Sequence, residues 1–249
     1  MKLVALRDFS DGVGTKTLGQ VFESDERFGR RLIAHGMAAV EAEAPTWCAL
    51  QWPGATVVIL ASGPSLTVAD CTRVQAWRDG DIRRAIAINT TFRMAPWADA
   101  LYGCDARWWQ LYHAEVERTF RGALWSQDEL AKRLGVNHIR SENARGLGKK
   151  PGVIHQGGNS GYQAVNLAYQ AGAKRIVLLG FDMRDHGTKT HHHADHPTGL
   201  NTQPNYAQWI ADFNLMAREL RGEGVDVVNA TPGSALTCFP MAKLEDALA

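Results

Sequence analysis

The stretch Val57-Val58-Ile59-Leu60-Ala61-Ser62-Gly63-Pro64-Ser65-Leu66 decides the fold of this chain. The apolar run from Thr56 to Leu60 lacks polar alternation, which is typical of a strand covered on both faces of a parallel α/β sheet. Ser62 and Gly63 leave room for a ligand at the backbone, Pro64 stiffens the turn, and Ser65 is suited to cap a following helix. Amides at a helix start attract anions, so the turn predicts the phosphate end of a nucleotide site. The alternative is a tight strand-to-helix connection without a ligand.

Strand and helix patterns alternate on the C-terminal side of this stretch. Further strands are predicted at residues 85–89, 99–102, 137–140, 153–155, 175–180 and 226–229. Helices are predicted at residues 67–78, 106–118, 127–134, 160–171, 206–223 and 241–248. This alternation predicts a Rossmann-like, doubly wound and mainly parallel α/β sheet over residues 55–249. In such sheets ligands bind at the carboxyl ends of the strands.

Residues 1–42 read as a small N-terminal α+β module, followed by a linker over residues 43–54. The module has predicted strands at Lys2–Leu6 and Gln20–Phe22 and a predicted helix from Asp25 to His35. Its segments Leu3–Phe9, Gly19–Phe22 and Arg31–Gly36 resemble a small module common in tailed-phage and prophage proteins. The resemblance implies a phage origin and a docking or self-association role. The alternative is a plain N-terminal extension of the main fold.

Composition excludes several broad classes of function. The 249 residues include 27 basic and 26 acidic side chains, a net charge of +1, which gives no general argument for nucleic-acid binding. No run approaches the roughly 20 apolar residues that a membrane span needs, so we expect a soluble, cytoplasmic protein that makes no membrane contact. The four cysteines lack a paired C-x-x-C spacing, which argues against a disulfide framework and a cysteine zinc site.

Polar residues follow several of the predicted strands. Asn89, Thr90 and Thr91 come after an apolar run and could hydrogen-bond a base or ribose, and Asp105 occupies the same kind of position. Asn229 and Ser234 follow the last predicted strand and could close one wall of a pocket. Asn and Asp are also ordinary turn residues, so a purely structural role is the alternative.

A second small-residue loop opens the predicted helix at residues 160–171. It reads Gly157-Gly158-Asn159-Ser160-Gly161. We interpret Gly158, Asn159, Ser160 and Gly161 as nucleotide-binding residues, because backbone amides and a hydroxyl at a helix start donate hydrogen bonds to an anion.

A histidine-rich segment follows the strand that ends near Gly180 and Asp182. It contains five closely spaced histidines, among them His191, His193 and His196, and the carboxylate of Asp195. A histidine there could act as a general base near neutral pH, or a histidine and a carboxylate could bind a metal. A solvated polar loop is a third interpretation. Metal binding is not favoured, because no H-E-x-x-H or other defined ligand spacing is present.

Taken in order, these motifs resemble bacterial CMP-sialic-acid-dependent sialyltransferases. They are Gly63-Pro64-Ser65-Leu66, Asn89, Asn159-Ser160-Gly161, Gly180-Phe181-Asp182 and Asn229-Ala230-Thr231-Pro232-Gly233-Ser234-Ala235-Leu236. The resemblance implies that Gly63, Ser65, Asn89, Ser160 and Gly161 surround the nucleotide. It also implies that one of His191, His193 or His196 is a base acting without a metal.

The resemblance extends to a wider superfamily that includes archaeal-type 6-hydroxymethylpterin diphosphokinases and motility-associated glycosyltransferases. The diphosphokinase branch implies ATP and Mg²⁺, with Asp105, Asp182 and Asp195 as the available carboxylates.

The sequence favours a glycosyltransferase-like enzyme that takes a nucleotide or nucleotide-sugar donor, with a general-base histidine and Asp182 as catalytic residues. We expect no cofactor in that case. The alternatives are a metal-dependent phosphoryl or diphosphoryl transferase, which would require Mg²⁺, and a non-catalytic nucleotide-binding phage accessory protein.

Overall fold

The computed structural model describes residues 1–5, 7–17, 20–40, 50–80, 82–184, 191–192, 200 and 204–249. The strands are β1 Lys2–Ala5, β2 Phe9–Ser10, β3 Thr15–Lys16, β4 Val21–Glu23, β5 Ala38–Val40, β6 Thr56–Leu60, β7 Arg83–Ile88, β8 Ala100–Tyr102, β9 Ala123–Ser126, β10 Asn137–His138, β11 Arg140–Glu142, β12 Val153–His155, β13 Arg175–Leu179 and β14 Asp226–Asn229. The helices are α1 Glu26–Ala34, α2 Val68–Trp77, α3 Ala106–Thr119, α4 Ser160–Gln170, α5 Tyr206–Gly222 and α6 Leu244–Ala247. Two 3₁₀ helices cover Asn89–Arg93 and Glu129–Leu134.

The main sheet has seven strands in the order β10-β9-β8-β7-β6-β13-β14. Every neighbouring pair in it is parallel. Strands β7 to β10 follow β6 in sequence order on one side of it. Strands β13 and β14, which come later in the chain, lie on the other side of β6. The prediction of a Rossmann-like α/β fold is confirmed. The reversal between β6 and β13 is the topological switch point, where doubly wound sheets form a crevice.

The apolar run in β6 is buried on both faces, as its composition predicts. Val57 and Ile59 pack into the core beneath α4 and α5, whereas Val58 and Leu60 pack into the core beneath α2, α3 and α6. All four side chains have 0% exposure. Because both faces of the sheet are covered by helices, a ligand can reach the strands only at an end of the sheet.

The N-terminal part is a separate small layer of strands and one helix, which agrees with an α+β module. Its antiparallel sheet has the order β4-β1-β5. Helix α1 is capped by Asp25, whose side chain accepts a hydrogen bond from the Phe28 amide. Leu3, Phe22 and Leu32 belong to a core cluster of their own.

Residues 43–49 of the expected linker, and residues 41–42 at the end of the expected module, lie outside the described residues. Its last part packs on the main domain: the Trp52 amide donates to the Ala171 carbonyl at 2.7 Å, and the Gly54 amide donates to the Gly172 carbonyl at 2.9 Å. Trp52 is buried. The final residues of this segment therefore pack onto the sheet domain, with Trp52 in its core.

Several predicted elements differ from those observed. The helix predicted at residues 127–134 is a short 3₁₀ helix, since Asp128 caps its start and Gly135, with a φ of 74°, ends it. The helix predicted at residues 241–248 shrinks to α6, because Met241 forms a bridge with Asn229 that holds this part of the chain extended. Strands β2, β3, β5, β9 and β11 were not predicted, and each has only two to four residues. Runs that short carry little periodic signal.

Among the described helices, none is both long enough and apolar enough to cross a membrane.

Candidate functional site

The ends of β6 and β7 are joined by a network of hydroxyl groups and one histidine. The Ser62 hydroxyl lies 3.2 Å from the Thr91 hydroxyl, and the Thr91 hydroxyl lies 3.0 Å from Nε2 of His192. The His192 amide donates to the Ser62 carbonyl at 3.0 Å. Thr91 is fully buried. These contacts fix one point of the histidine-rich segment at the carboxyl edge of the sheet, beside the switch point.

The Ser62–Ser65 turn is occupied by a side chain of the protein itself. The Ser65 amide donates to Oδ1 of Asp182 at 3.2 Å, and its hydroxyl donates to Oδ2 at 2.9 Å. Asp182 is 3% exposed. A Cβ on Gly63 would overlap with the Asp182 carboxylate and with the Gly180 carbonyl. Asp182, predicted as catalytic, therefore fills the space in front of this turn.

Helix α2 does not begin at Ser65, and this corrects the expected cap. Thr67 is the N-cap: its hydroxyl accepts from the Asp70 amide at 3.1 Å, and the Asp70 carboxylate accepts from the Thr67 amide at 3.1 Å. The sequence Thr-x-x-Asp satisfies both backbone donors by this reciprocal pairing. The Ser65 hydroxyl is bonded to Asp182 instead, so the helix start lies two residues beyond the turn.

The second small-residue loop does form the start of a helix. The Asn159 side chain accepts from the Tyr162 amide at 2.8 Å and so caps α4. Within the described part of the chain, the amides of Ser160 and Gly161 donate to no other group. The start of an α-helix carries partial positive charge on such amides. This loop is therefore the better anion site of the two.

Glycine is required at two positions of that loop. Gly157 and Gly158 have φ angles of 53° and 72°, which residues with a Cβ rarely adopt. A side chain on Gly157 would overlap with the ring of Tyr162, and a Cβ on Gly158 would lie 3.2 Å from Nε1 of Trp209 in α5. The half-buried indole of Trp209 therefore borders the exposed backbone of Gly158.

The structure brings two predicted nucleotide-binding residues together across the sheet edge. The Asn89 amide nitrogen lies 3.4 Å from the Ser160 hydroxyl. Asn89 has a φ of 48°, so its backbone takes the left-handed conformation directly after β7. Burial raises the pKa of the neighbouring Cys104 thiol. The thiol is therefore neutral near pH 7 and adds no charge to the site.

Two of the expected pocket residues hold the loop after β14. Asn229 is fully buried, and its amide donates to the Ser234 hydroxyl at 3.0 Å and to the Leu236 carbonyl at 2.9 Å. The Ser234 hydroxyl also donates to the Phe181 carbonyl. These bonds tie the loop to the end of β13, and direct contact of either residue with a ligand stays a prediction.

Thr90 and Asp105 support neighbouring elements. Thr90 is 1% exposed and accepts from Nε1 of Trp108 at 3.4 Å. The exposed Asp105 caps α3, accepting from the Arg107 amide at 2.8 Å. Their predicted role with a nucleotide is likewise untested.

Of the histidine-rich segment, His191 and His192 are described, and both are half-buried. His193, Asp195 and His196 lie outside the described residues, so their predicted roles have no geometry here. Among the described residues, no group of three or more His, Cys, Asp and Glu side chains is arranged to hold a metal ion.

Sequence reasoning did not select His192 or Cys104 as site residues, and it expected Thr91 to bind a base or ribose, whereas the Thr91 hydroxyl contacts Ser62 and His192. Each adjoins a residue that was selected, and position after a strand was the available signal. That signal does not distinguish neighbouring residues of the same type, because which one points toward the sheet edge depends on the local backbone.

Comparisons with known proteins give no family. No family model matches the chain. No curated protein matches it either. Among solved structures, a short chain dehydrogenase from Mycobacterium smegmatis aligns over 83% of this chain and 88% of its own, with 12% identity and a TM-score of 0.22. A TM-score that low carries no argument about this protein.

Proposed function

We propose that this protein is a transferase that binds a nucleotide or nucleotide-sugar donor at the carboxyl edge of its sheet. The observation that carries the proposal is the start of α4. Two amides there, of Ser160 and Gly161, donate to no other described group, and the Ser160 hydroxyl lies beside the Asn89 carboxamide at the carboxyl end of β7. Helix starts of this kind bind phosphate, and a carboxamide can read a base or ribose.

In this proposal the donor's phosphate binds at α4 and not at the Ser62–Ser65 turn. The Ser65 amide and hydroxyl are already bonded to Asp182. A phosphate in the same place would meet like charge in a partly buried setting, where repulsion is several times stronger than in water. The two predicted loops thus receive different roles: the first turn shapes the edge, and the second holds the anion.

The histidine-rich segment supplies the general base. His192 anchors the segment through Thr91 and Ser62 and acts as a positioning residue. The base is one of its neighbours His191, His193 and His196. It takes the proton from an acceptor hydroxyl while that oxygen bonds to the sugar's anomeric carbon and the bond to the nucleotide phosphate breaks. The α4 amides stabilise the charge on the departing phosphate.

The test is nucleotide release from CMP-, UDP- and GDP-sugars by the purified protein, with parallel reactions containing ATP with and without Mg²⁺. The proposal predicts release from one nucleotide-sugar without added metal. We expect one of the three variants His191→Ala, His193→Ala and His196→Ala to be folded but inactive, whereas His35→Ala, in the N-terminal part, leaves turnover unchanged. Turnover only with ATP and Mg²⁺ would establish the phosphoryl-transfer alternative, and inactivity throughout would favour the accessory-protein alternative.

His192→Ala separates positioning from catalysis. Loss of the Thr91 contact detaches the segment, so we expect a raised KM as well as a lowered kcat. Thr91→Val should reproduce this result, because it removes the hydroxyl at nearly constant volume. Thr91→Ser should restore most of the activity.

The N-terminal part provides none of the site contacts described above. A phage origin and a docking or self-association role for residues 1–42 stay predictions, supported by the sequence resemblance alone.

A further inference from the structure

Two aromatic side chains near the start of α5 contribute to none of the core clusters. The other described tryptophans belong to a core cluster or pack against one; they are Trp52, Trp77, Trp97, Trp108, Trp109 and Trp125. Trp209 and Tyr206 do neither, and both are half-buried. Large aromatic groups that support no core and remain partly open to solvent beside a small-residue loop are typical of a ligand site.

The Trp209 ring borders the loop that opens α4. A Cβ on Gly158 would lie 3.2 Å from Nε1 and 3.6 Å from Cδ1 of this indole. Gly158 is exposed, and it precedes Ser160 by two residues, which span at most about 7 Å. The indole therefore lies at the solvent-facing side of the loop, close to the amides to which the proposed function assigns the phosphate.

Tyr206 packs against this indole. The two ring centroids lie 5.6 Å apart with an angle of 86° between the planes, an edge-to-face arrangement. Both side chains come from the first turns of α5, whose N-cap is Asn205. A ring that is already supported by a neighbour loses little conformational freedom when a ligand stacks on it. The pair therefore offers a preorganised aromatic surface.

We propose that the Trp209 ring stacks on the nucleobase of the donor. This assignment rests on the proposed function, because it takes the donor's phosphate to lie at the start of α4. From that phosphate the nucleoside and the transferred sugar extend in different directions. The histidine-rich segment is anchored where His192 contacts Thr91 and Ser62, after β7 and β6, so the sugar lies on that side. Trp209 approaches the loop from α5, and the nucleoside lies on this side.

The first test uses the unmodified protein and ligands that differ in the base alone. Ribose 5-phosphate keeps the sugar phosphate of CMP, UMP and GMP but lacks the base. The measurement is the indole N–H signal of Trp209 in ¹H–¹⁵N NMR spectra, assigned with Trp209→Phe. We expect the nucleotide that binds most tightly to shift this signal in a saturable way, whereas ribose 5-phosphate shifts it far less.

The second test compares affinities by isothermal titration. Trp209→Ala should weaken binding of the same nucleotide about tenfold, an effect within the range of base–aromatic stacking, and should change the affinity for ribose 5-phosphate by less than about twofold. Trp209→Phe keeps an aromatic ring and should retain most of the affinity. Trp77→Ala is the control, because it removes a half-buried tryptophan from the last residue of α2, and it should change neither affinity.

Two results would overturn the stacking but leave the proposed donor site in place. One is a nucleotide that binds without shifting the Trp209 signal. The other is a folded Trp209→Ala protein that binds the nucleotide as tightly as the unmodified protein does, or that loses affinity equally for the nucleotide and for ribose 5-phosphate. If none of the three nucleotides binds, the stacking and the proposed function are both wrong.

Discussion

The Ser62–Ser65 turn and the Gly157–Gly161 loop have similar compositions but differ in what their donors bind. In the first, the Ser65 amide and hydroxyl are bonded to the buried Asp182 carboxylate. In the second, the amides of Ser160 and Gly161 at the start of α4 donate to no other described group. The first turn already contains an anion supplied by the chain. The second has two consecutive amides at a helix start without an acceptor among the described residues, and for this reason we assign the external anion to it.

A small-residue turn after a strand therefore predicts closely spaced backbone donors, but it does not predict whether a ligand can reach them. Such a turn places backbone donors close together in either case. Whether they serve a ligand depends on the neighbouring strand in space, here β13, whose following residues bring Asp182 to the turn from more than a hundred positions away in sequence.

The largest expected effect is that of a methyl group added to each loop. Gly63→Ala would overlap with the Asp182 carboxylate and the Gly180 carbonyl, so we expect a loss of more than about 3 kcal/mol in the free energy of unfolding. Gly158→Ala forces a residue with a Cβ into the left-handed region and brings that Cβ to 3.2 Å from the Trp209 side chain, which can shift, so it should cost about 1–2 kcal/mol. Urea denaturation measures both. Gly222→Ala is the control, because its Cβ would meet no atom within 4 Å. Similar losses for Gly63→Ala and Gly158→Ala would remove the distinction between the two loops.

Removing the charge of the Asp182 carboxylate should have a smaller effect on the free energy of unfolding. Asp182→Asn keeps the shape of the side chain but weakens the hydrogen bonds from Ser65, and bonds to a charged group contribute about 1.5–3 kcal/mol. We expect unfolding to become easier by about 2 kcal/mol. Asp105→Asn is the matched control, since Asn caps a helix as well as Asp does, and it should change stability by less than about 0.5 kcal/mol. If Asp182→Asn is as mild as its control, the carboxylate does not hold the turn.

The smallest effect concerns the two serines and separates binding from stability. Ser160→Ala removes a hydroxyl whose contact with Asn89 is long, 3.4 Å, so stability should fall by less than about 1 kcal/mol. Nucleotide affinity should fall about tenfold if this hydroxyl also contacts the donor. Ser65→Ala should do the reverse, lowering stability and leaving the affinity within about twofold. Isothermal titration measures the nucleotide affinity of both variants, and urea denaturation measures their stability. A loss of affinity in Ser65→Ala with none in Ser160→Ala would contradict the assignment of the phosphate to α4.

The sheet could be predicted from the sequence because its strands carry strong local signals. The apolar run in β6 and the similar run in β13 predict buried parallel strands, and both are observed. The short strand β9 lacks such a signal and was missed. Of the site, the small-residue loops and Asn89 could be located as positions after strands. The closing of the first turn by Asp182 could not, since it results from a contact distant in sequence. The anchoring of His192 by Thr91 was out of reach for the same reason.

The central claim is that the nucleotide's phosphate binds at the start of α4. The most direct test is a titration of the ¹⁵N-labelled protein with CMP, UDP and GDP, followed through the backbone amide signals of both loops. We expect one nucleotide to shift the Ser160 and Gly161 amide signals in a saturable way, while the Gly63 and Ser65 amide signals stay nearly unchanged. Shifts concentrated at Gly63 and Ser65, or no saturable shift in either loop with any of the three nucleotides, would contradict the claim.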